Sequence, residues 1–162
     1  MKILFVVNFD QFFITHRLPL ALESIRIGYE VHVACSDTGK IEYLKSLGIT
    51  VHKLNLSRSG KSLIRELKSF IEIYKTLNNV KPNLVHFISI KPVLYGGIAA
   101  RLINIPKRIF SISGLGFIFI NKGCKASIFR ILIKAMYRLA IAGKDSHVII
   151  QNPDDKVFVK SL

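Results

Sequence analysis

Polar and basic side chains with the chemistry to bind an anion follow the first predicted strand of this 162-residue sequence. Asn8 comes directly after that strand, and His16 and Arg17 stand where the next helix is predicted to begin. The unpaired backbone N–H groups and the positive dipole end of a helix N-terminus favour an anion. We therefore expect Asn8, His16 and Arg17 to contact a phosphate or a sugar hydroxyl, whereas Phe12 and Phe13 between them are as consistent with a hydrophobic plug.

Two further candidate sites follow the fourth and fifth predicted strands. Lys91 comes just before a helix N-terminus, where a cation is unfavourable for the helix itself, and this local conflict favours a binding role. The segment Ser-Gly-Leu-Gly after the fifth strand offers backbone N–H groups without bulky side chains, so Gly114 and Gly116 are candidates for cradling a phosphate or a sugar. His86, near the end of the fourth strand, is equally consistent with a buried histidine that only stabilises the core.

The familiar cofactor and metal motifs do not occur in the sequence. A GxGxxG dinucleotide motif has to follow the first strand, but the first glycine of the chain is Gly28. No Walker P-loop, HExxH or GxSxG sequence is present, and Cys35 and Cys124 are far apart and outside any CxxC pattern. We therefore expect no bound cofactor, no metal and no disulfide framework, and a reducing compartment.

Positive charge is concentrated in the second half of the chain. The formal net charge is +14, and the segment 73–144 contains twelve Lys and Arg residues and no carboxylate. Such a segment projects a positive field and is expected to meet an anionic partner, whether a phosphate-bearing small molecule, an anionic membrane or a nucleic acid. General solubility is the plainer alternative, but it does not require acids to be excluded from one stretch.

The most basic predicted helix, 126–142, is the candidate membrane-facing surface. Arg130, Lys134 and Arg138 recur every four residues and share one face, and Lys122 and Lys125 precede them. A basic amphipathic helix of this kind can lie on an anionic bilayer, although a core-packing helix with a solvated cationic face has the same pattern. The sequence shows neither a secretory signal nor an apolar run long enough to span a membrane.

Alternating strand and helix patterns are predicted to position these residues. Gly28 and Gly48 are expected to end the first two helices, and Pro82 to stop the third. The pattern predicts a single α/β domain with a Rossmann-like, doubly wound, mainly parallel sheet, which binds ligands at the carboxyl ends of its strands. The predicted strands are 3–7, 30–34, 49–54, 84–88, 108–112 and 147–151, and the predicted helices are 16–27, 41–47, 63–80, 92–103, 126–142 and 153–162.

Short motifs that run in order across nearly the whole chain carry a resemblance to a known family. They are Asn8, Phe12, Phe13 and 16–20; 28–31; His86, Lys91, Pro92, Tyr95 and Gly96; 99–101; 113–116; and 151–153. Their order and spacing resemble the glycosyltransferases of family 4, which have the two-domain GT-B architecture, and in particular those that build bacterial surface polysaccharides.

The resemblance implies that residues 1–162 form the N-terminal, acceptor-side half of a GT-B glycosyltransferase. It implies transfer of a sugar from a nucleotide-sugar donor to a saccharide or lipid-linked acceptor, with retention of configuration and without a bound metal. The protein is then expected in the cytoplasm, peripheral at the inner face of the cytoplasmic membrane. The residues expected to position acceptor and phosphate are Asn8, His16, Arg17, Lys91, Gly114 and Gly116.

The same resemblance implies that the isolated chain is catalytically incomplete. In this family a C-terminal domain with a Glu-rich motif holds most of the donor nucleotide, and nothing resembling that domain occurs in the 162 residues. Many relatives also have a glycine pair in the first loop and a histidine after the fifth strand. This chain has residues 8–11 and Ser113 with Gly114 at those places, so no catalytic side chain is predicted.

A non-catalytic basic module that binds an anionic membrane or nucleic acid is the alternative from another class. Its binding would fall steeply with salt and would not depend on a sugar. Recognition of nucleic acid also needs exposed stacking aromatics, which the sequence does not clearly show, so no nucleic-acid partner is expected.

Overall fold

Six parallel strands form one sheet in the order β3-β2-β1-β4-β5-β6. A computed structural model describes residues 1–56, 62–112 and 124–162, with the backbone alone for residues 124–129 and 154. The crossover from β3 to β4 carries the chain to the far side of β1, so the carboxyl ends of β1 and β4 lie at the switch point where Rossmann-like folds bind ligands. The strands are β1 (Lys2–Phe9), β2 (Glu30–Ser36), β3 (Thr50–Lys53), β4 (Leu84–Ile88), β5 (Lys107–Ile112) and β6 (Ser146–Ile150).

Helices cover both faces of the sheet, which confirms the predicted doubly wound architecture. Helix α1 is Asp10–Arg26, α2 is Ile41–Ser46, α3 is Leu63–Val80, α4 is Gly97–Leu102, α5 is Cys124–Ile141 and α6 is Pro153–Lys160. A π-helical turn, Pro92–Gly96, leads into α4. Helices α1 and α2 contribute to the core on one face, and α3, the π-helical turn, α4, α5 and α6 contribute to the core on the other.

Alternation along β1 sends side chains into both cores. Leu4 and Val6 belong to one cluster and Phe5 and Val7 to the other, and all four side chains are at most 2% exposed. A strand buried on both faces has to be apolar at every position, because successive side chains point to opposite sides. This explains why the continuous apolar run was a dependable strand signal.

Helix α1 begins six residues earlier than the sequence pattern predicted. Phe13 was assigned to a loop but is fully buried, and its ring packs edge-on against Phe5 with the centroids 5.4 Å apart. The helix starts at Asp10, so Phe13 lies inside it. His16 and Arg17 consequently lie in the second turn of α1, and the prediction that they stand at a helix N-terminus was wrong.

The helical segment after β4 also begins earlier than predicted. Lys91 already has helical backbone angles, so it is not a residue that precedes the helix. Glycine is required inside this segment because a Cβ at Gly96 would collide with the ring of Phe87, and one at Gly97 would lie 2.7 Å from Ala140 Cβ. These two glycines let the π-helical turn and α4 pack closely on β4 and α5.

Candidate functional site

Arg17, Ser111 and His86 bring α1, β5 and β4 together near the carboxyl ends of the strands. Arg17 Nη2 donates a hydrogen bond to Ser111 Oγ at 3.3 Å, and His86 Nε2 lies 2.8 Å from the same hydroxyl. Arg17 Nη1 donates to the backbone carbonyl of His16 at 2.9 Å. The guanidinium is therefore held on two sides by protein atoms.

The Nε donor of the Arg17 guanidinium is unused within the described residues. Its Nε atom is buried and has no hydrogen-bond partner there. Burial lowers the pKa of Arg17 from its usual value, but an arginine remains protonated in proteins. A fixed positive charge with an unused donor is suited to an anion.

His86 acts as a buried support for Ser111. Burial, with a smaller contribution from the Arg17 charge, lowers the pKa of His86 to about 4. Its imidazole is therefore neutral at pH 7, and its ring packs against Phe5 with the centroids 5.6 Å apart. Of the two interpretations open from the sequence, the structure favours the buried core histidine.

Asn8 lies at the end of β1, where it was expected to face a ligand. The residue is half-buried, and its Oδ1 atom is buried without a hydrogen-bond partner in the described part of the chain. A buried carbonyl oxygen that accepts no hydrogen bond is unfavourable. A donor such as a hydroxyl group would relieve that cost.

His16 is directed along α1 instead of joining Arg17 and Ser111. Its Nδ1 atom lies 3.1 Å from the carbonyl oxygen of Phe12, and the two rings stack with centroids 4.1 Å apart. The side chain is exposed. Arg17 and Ser111 are thus brought into contact by the fold, whereas the described contacts of His16 are with its own helix.

Asp10 is a buried acid at the start of α1 that the sequence pattern did not single out. Its carboxylate accepts hydrogen bonds from the backbone N–H of Gln11 at 2.7 Å and from those of Thr38 and Lys40 at 2.9 Å each. It also accepts one from the Thr38 hydroxyl. Burial raises its pKa, but the hydrogen bonds from Thr38, Lys40 and Gln11 outweigh burial and hold the pKa below its usual value. Asp10 therefore ties the loop after β2 to the first turn of α1.

A signal for Asp10 was available in the sequence. An acid in the first turn complements the helix dipole, and Asp10 precedes Phe13 by three residues, which is helical spacing. The signal was missed because the two aromatics were assigned to a loop.

Lys91 forms a second charged cluster with Glu66 of α3 and Tyr95 of the π-helical turn. Lys91 Nζ lies 2.7 Å from Glu66 Oε1, and Tyr95 Oη donates to Glu66 Oε2 at 2.6 Å. The Lys91 and Glu66 side chains are only 20% and 14% exposed. Burial, followed by the Glu66 hydrogen bond, raises the pKa of Tyr95. Glu66 thus relieves the unfavourable position of Lys91 at the start of its helix.

The remaining predicted binding residues cannot be located in the same way. Gly114, Gly116 and Lys122 lie outside the described residues, and for Lys125 only the backbone is described. Their roles therefore stay predictions.

The described cations near the end of α5 are turned toward α6. Lys134 Nζ lies 5.9 Å from the centroid of the Phe158 ring. Arg138 Nε donates to the carbonyl oxygen of Leu162, and Nη2 donates to that of Ser161 at 3.3 Å. Arg130 is half-buried. The membrane-facing role of the basic residues of α5 stays a prediction.

Neither a membrane span nor a metal cluster is found in the described ranges. None of the helices there is both long and apolar enough to cross a bilayer. No group of three or more His, Cys, Asp or Glu side chains in those ranges is arranged to hold a metal ion.

The six-stranded parallel sheet with helices on both faces defines a Rossmann-like α/β domain, and polar side chains at the carboxyl ends of β1, β4 and β5 form its candidate binding site. The profile of the family described as "Glycosyl transferase 4-like" matches residues 2–152. The chain belongs to this family, which confirms the resemblance drawn from its motifs.

Two curated relatives are each 27% identical to the chain. One is the N,N'-diacetylbacillosaminyl-diphospho-undecaprenol alpha-1,3-N-acetylgalactosaminyltransferase of Campylobacter jejuni, matched over 133 residues, which are 82% of this chain and 35% of that protein. The other is the UDP-Gal:alpha-D-GlcNAc-diphosphoundecaprenol alpha-1,3-galactosyltransferase of Escherichia coli, matched over 135 residues, which are 83% of this chain and 34% of that protein. The chain thus spans about a third of the length of both relatives.

Solved structures share the fold at low sequence identity. The UDP-GlcNAc 2-epimerase of Methanocaldococcus jannaschii superposes with a TM-score of 0.63 at 18% identity, over 99% of this chain and 42% of that one. The glycosyltransferase SsfS6 of Streptomyces sp. SF2575 gives 0.57 at 18% identity, over 96% of this chain and 51% of that one. These likenesses support the fold alone.

Proposed function

We propose that this chain is the acceptor-side domain of a glycosyltransferase that transfers a sugar from a nucleotide-sugar to a lipid-linked acceptor. Both curated relatives are named for transfer to a sugar carried on diphospho-undecaprenol, and one is named for a UDP-sugar donor. Retention of configuration and a peripheral position at the cytoplasmic membrane face belong to the same proposal. The acceptor then brings a diphosphate and sugar hydroxyls to the domain.

The half-buried, positively charged Arg17 carries the proposal. It lies near the carboxyl end of the sheet, is held by Ser111, and has an Nε donor without a partner in the described residues. A guanidinium binds phosphate oxygens through paired N–H donors, so it suits the diphosphate of the acceptor. Asn8 Oδ1 complements it as an acceptor for a sugar hydroxyl.

Lys91 supplies a second cation at the neighbouring strand end. Its ammonium is held by Glu66, which limits the number of positions it can occupy. In this proposal the chain contributes orientation and electrostatic stabilisation, which are large terms in group transfer, and none of the described residues is assigned the role of nucleophile or base. A second domain supplies the donor nucleotide-sugar, and neither a metal nor another cofactor is required. The isolated chain is then inactive in transfer.

Binding of a water-soluble acceptor analogue tests this function. A short-chain prenyl diphosphate that carries N-acetylglucosamine is titrated into the chain and followed by calorimetry and phosphorus NMR. Arg17→Gln removes a charge-assisted contact and should weaken binding by about tenfold to a hundredfold. Arg26→Gln, at the opposite end of the same helix and exposed, is the matched control and should bind like the wild type. Equal affinity of the two variants would contradict the proposed site.

A further inference from the structure

The N-terminal half of α3 exposes a row of large apolar side chains. Leu63, Ile64, Leu67 and Ile71, here called the α3 ridge, are 86%, 70%, 58% and 40% exposed. Single exposed apolar residues are ordinary, but four on two turns of one helix form a patch that marks an interaction surface.

The α3 ridge is separate from the face of α3 that packs on the sheet. Leu63, Leu67 and Ile71 follow one another at intervals of four residues, so they lie one above the other along the helix. Ile73 and Leu77 occupy the opposite side and are at most 1% exposed. The ridge is therefore available to a partner without disturbing the core.

Lysines flank the α3 ridge, while the acids of the helix are used elsewhere. Lys68 and Lys75 are exposed and form no ion pair within the described residues, and each is four residues from a ridge isoleucine. Glu66 pairs with Lys91, and Glu72 Oε2 accepts a hydrogen bond from the backbone N–H of Asn55 at 2.7 Å. The outward surface of α3 thus combines apolar side chains with lysines that form no ion pair within the described residues.

We propose that the α3 ridge inserts into the interface of an anionic lipid bilayer. Apolar side chains flanked by lysines suit the boundary between acyl chains and anionic headgroups, because lysine stems reach to the headgroup level while the leucines are buried. A basic flank disfavours a cationic protein surface and gains little from a neutral one. The proposal rests on the lipid-linked acceptor proposed above and names the surface that meets its membrane.

The position of Glu66 connects this surface to the candidate site. Glu66 lies between Leu63 and Leu67 in the sequence, and it turns inward to Lys91 and Tyr95. One turn of α3 therefore has the ridge on its outer side and the Lys91 cluster on its inner side. A diphosphate at the bilayer surface would be close to Lys91, one of the two cations proposed to bind it.

Single tryptophan reporters test the proposal directly, because the chain contains no tryptophan. Leu67→Trp reports from the α3 ridge, and Leu139→Trp reports from an exposed apolar position on α5 that is 57% exposed against 58% for Leu67. Each variant is mixed with vesicles of phosphatidylglycerol and phosphatidylcholine in equal parts, with and without brominated acyl chains. We expect a blue shift and bromine quenching for Leu67→Trp and unchanged emission for Leu139→Trp. No shift at Leu67→Trp, or insertion of Leu139→Trp instead, overturns the proposal.

Further variants test separately what the lysines and the leucines contribute to vesicle binding. Lys68→Gln with Lys75→Gln should weaken vesicle binding by about tenfold or more, since each lysine near an anionic surface contributes about fivefold. Leu63→Asp with Leu67→Asp should weaken it at least as much, with an unchanged circular dichroism spectrum and melting temperature as the folding control. A blue shift of Leu67→Trp that grows with protein concentration without vesicles would instead show self-association and overturn the bilayer as the partner.

Binding of the soluble acceptor analogue distinguishes a failure of the α3 ridge proposal from a failure of the proposed function. If the Leu63→Asp, Leu67→Asp variant loses vesicle binding and still binds the soluble diphosphate, both proposals stand. If the wild type binds the diphosphate but not the vesicles, the α3 ridge proposal fails alone. If it binds vesicles but no diphosphate, the function fails and the ridge is a membrane contact of another kind of protein.

Discussion

Helices α3 and α5 have the same length, 18 residues, but they use their charges in opposite ways. On α3 the acids Glu66 and Glu72 bond inward or along the surface to other elements, and Lys68 and Lys75 remain exposed beside an apolar ridge. The three cations of α3, Arg65, Lys68 and Lys75, outnumber its two acids, and Glu66 is paired with a residue outside the helix.

Helix α5 carries no acid, yet two of its cations are directed at neighbouring groups. Lys134 lies over the Phe158 ring, and Arg138 donates to the last carbonyl groups of the chain. Its exposed side chains include the apolar Ile131, at 69%, and Leu139, at 57%. The two helices therefore differ in which of their described charges contact other elements after folding.

Asp10 extends the comparison to α1, and its replacement has the largest expected effect. Asp10→Asn leaves one side-chain oxygen to replace a carboxylate that accepts four hydrogen bonds in a buried position. We expect a loss of about 2–4 kcal/mol in the free energy of unfolding, measured by urea denaturation at pH 7. Glu23→Gln, which breaks only an exposed ion pair on the same helix, should unfold at nearly the same urea concentration as the wild type.

The pH dependence of the stability difference between the wild type and Asp10→Asn tests whether the carboxylate charge causes that difference. Because the folded pKa of Asp10 lies below its usual value of 3.8, its carboxylate stabilises the fold above that pH, and this contribution is lost as the pH falls through the lowered pKa. The wild type and Asp10→Asn should therefore converge in stability below about pH 4. A constant difference down to pH 2 would mean that shape, and not charge, is what Asp10 contributes.

The contrast between Asp10 and the strands also shows what the sequence can and cannot predict. All six strands were predicted because their apolar runs report burial on both faces, and Gly28 and Gly48 were correctly expected at helix ends, where they have φ values of +90° and +80°. These features depend on neighbours along the chain. The start of α1 depended instead on Phe13 reaching Phe5 across the sheet surface, so local pattern alone misplaced it.

The other features that the sequence did not predict are contacts between residues that are far apart in the chain. Lys91 was singled out because it conflicts with its helix, but its partner Glu66 is 25 residues earlier and has no sequence signal. Arg138 reaches the carbonyl group of Leu162, 24 residues later, for a similar reason. Residue type and spacing identified Arg17 and Lys91 as candidates, whereas the fold alone shows that Ser111 and Glu66 hold them.

Glu66→Gln tests whether the ion pair between Glu66 of α3 and Lys91 stabilises the fold. The variant leaves the Lys91 ammonium without its paired charge in a largely buried position, and we expect a loss of about 1–3 kcal/mol in the free energy of unfolding. Glu42→Gln, which breaks an exposed pair with Lys45, should cost less than about 1 kcal/mol in the same urea titration. Equal costs for the two variants would show that burial of the Lys91 pair has no energetic consequence.

Tyr137 on α5 has the smallest expected effect and tests the other helix. Its side chain is fully buried and packs edge-on against Phe158, but its hydroxyl has no hydrogen-bond partner in the described residues. Burial raises the pKa of this hydroxyl, so it is neutral at pH 7. Tyr137→Phe keeps the ring and removes an unsatisfied polar atom, so unfolding free energy should stay within about 0.5 kcal/mol of the wild type or rise. A loss of more than about 1 kcal/mol in urea denaturation would mean that the hydroxyl forms a hydrogen bond in solution, and α5 would then resemble α3 in using its buried polar groups to fix neighbouring elements.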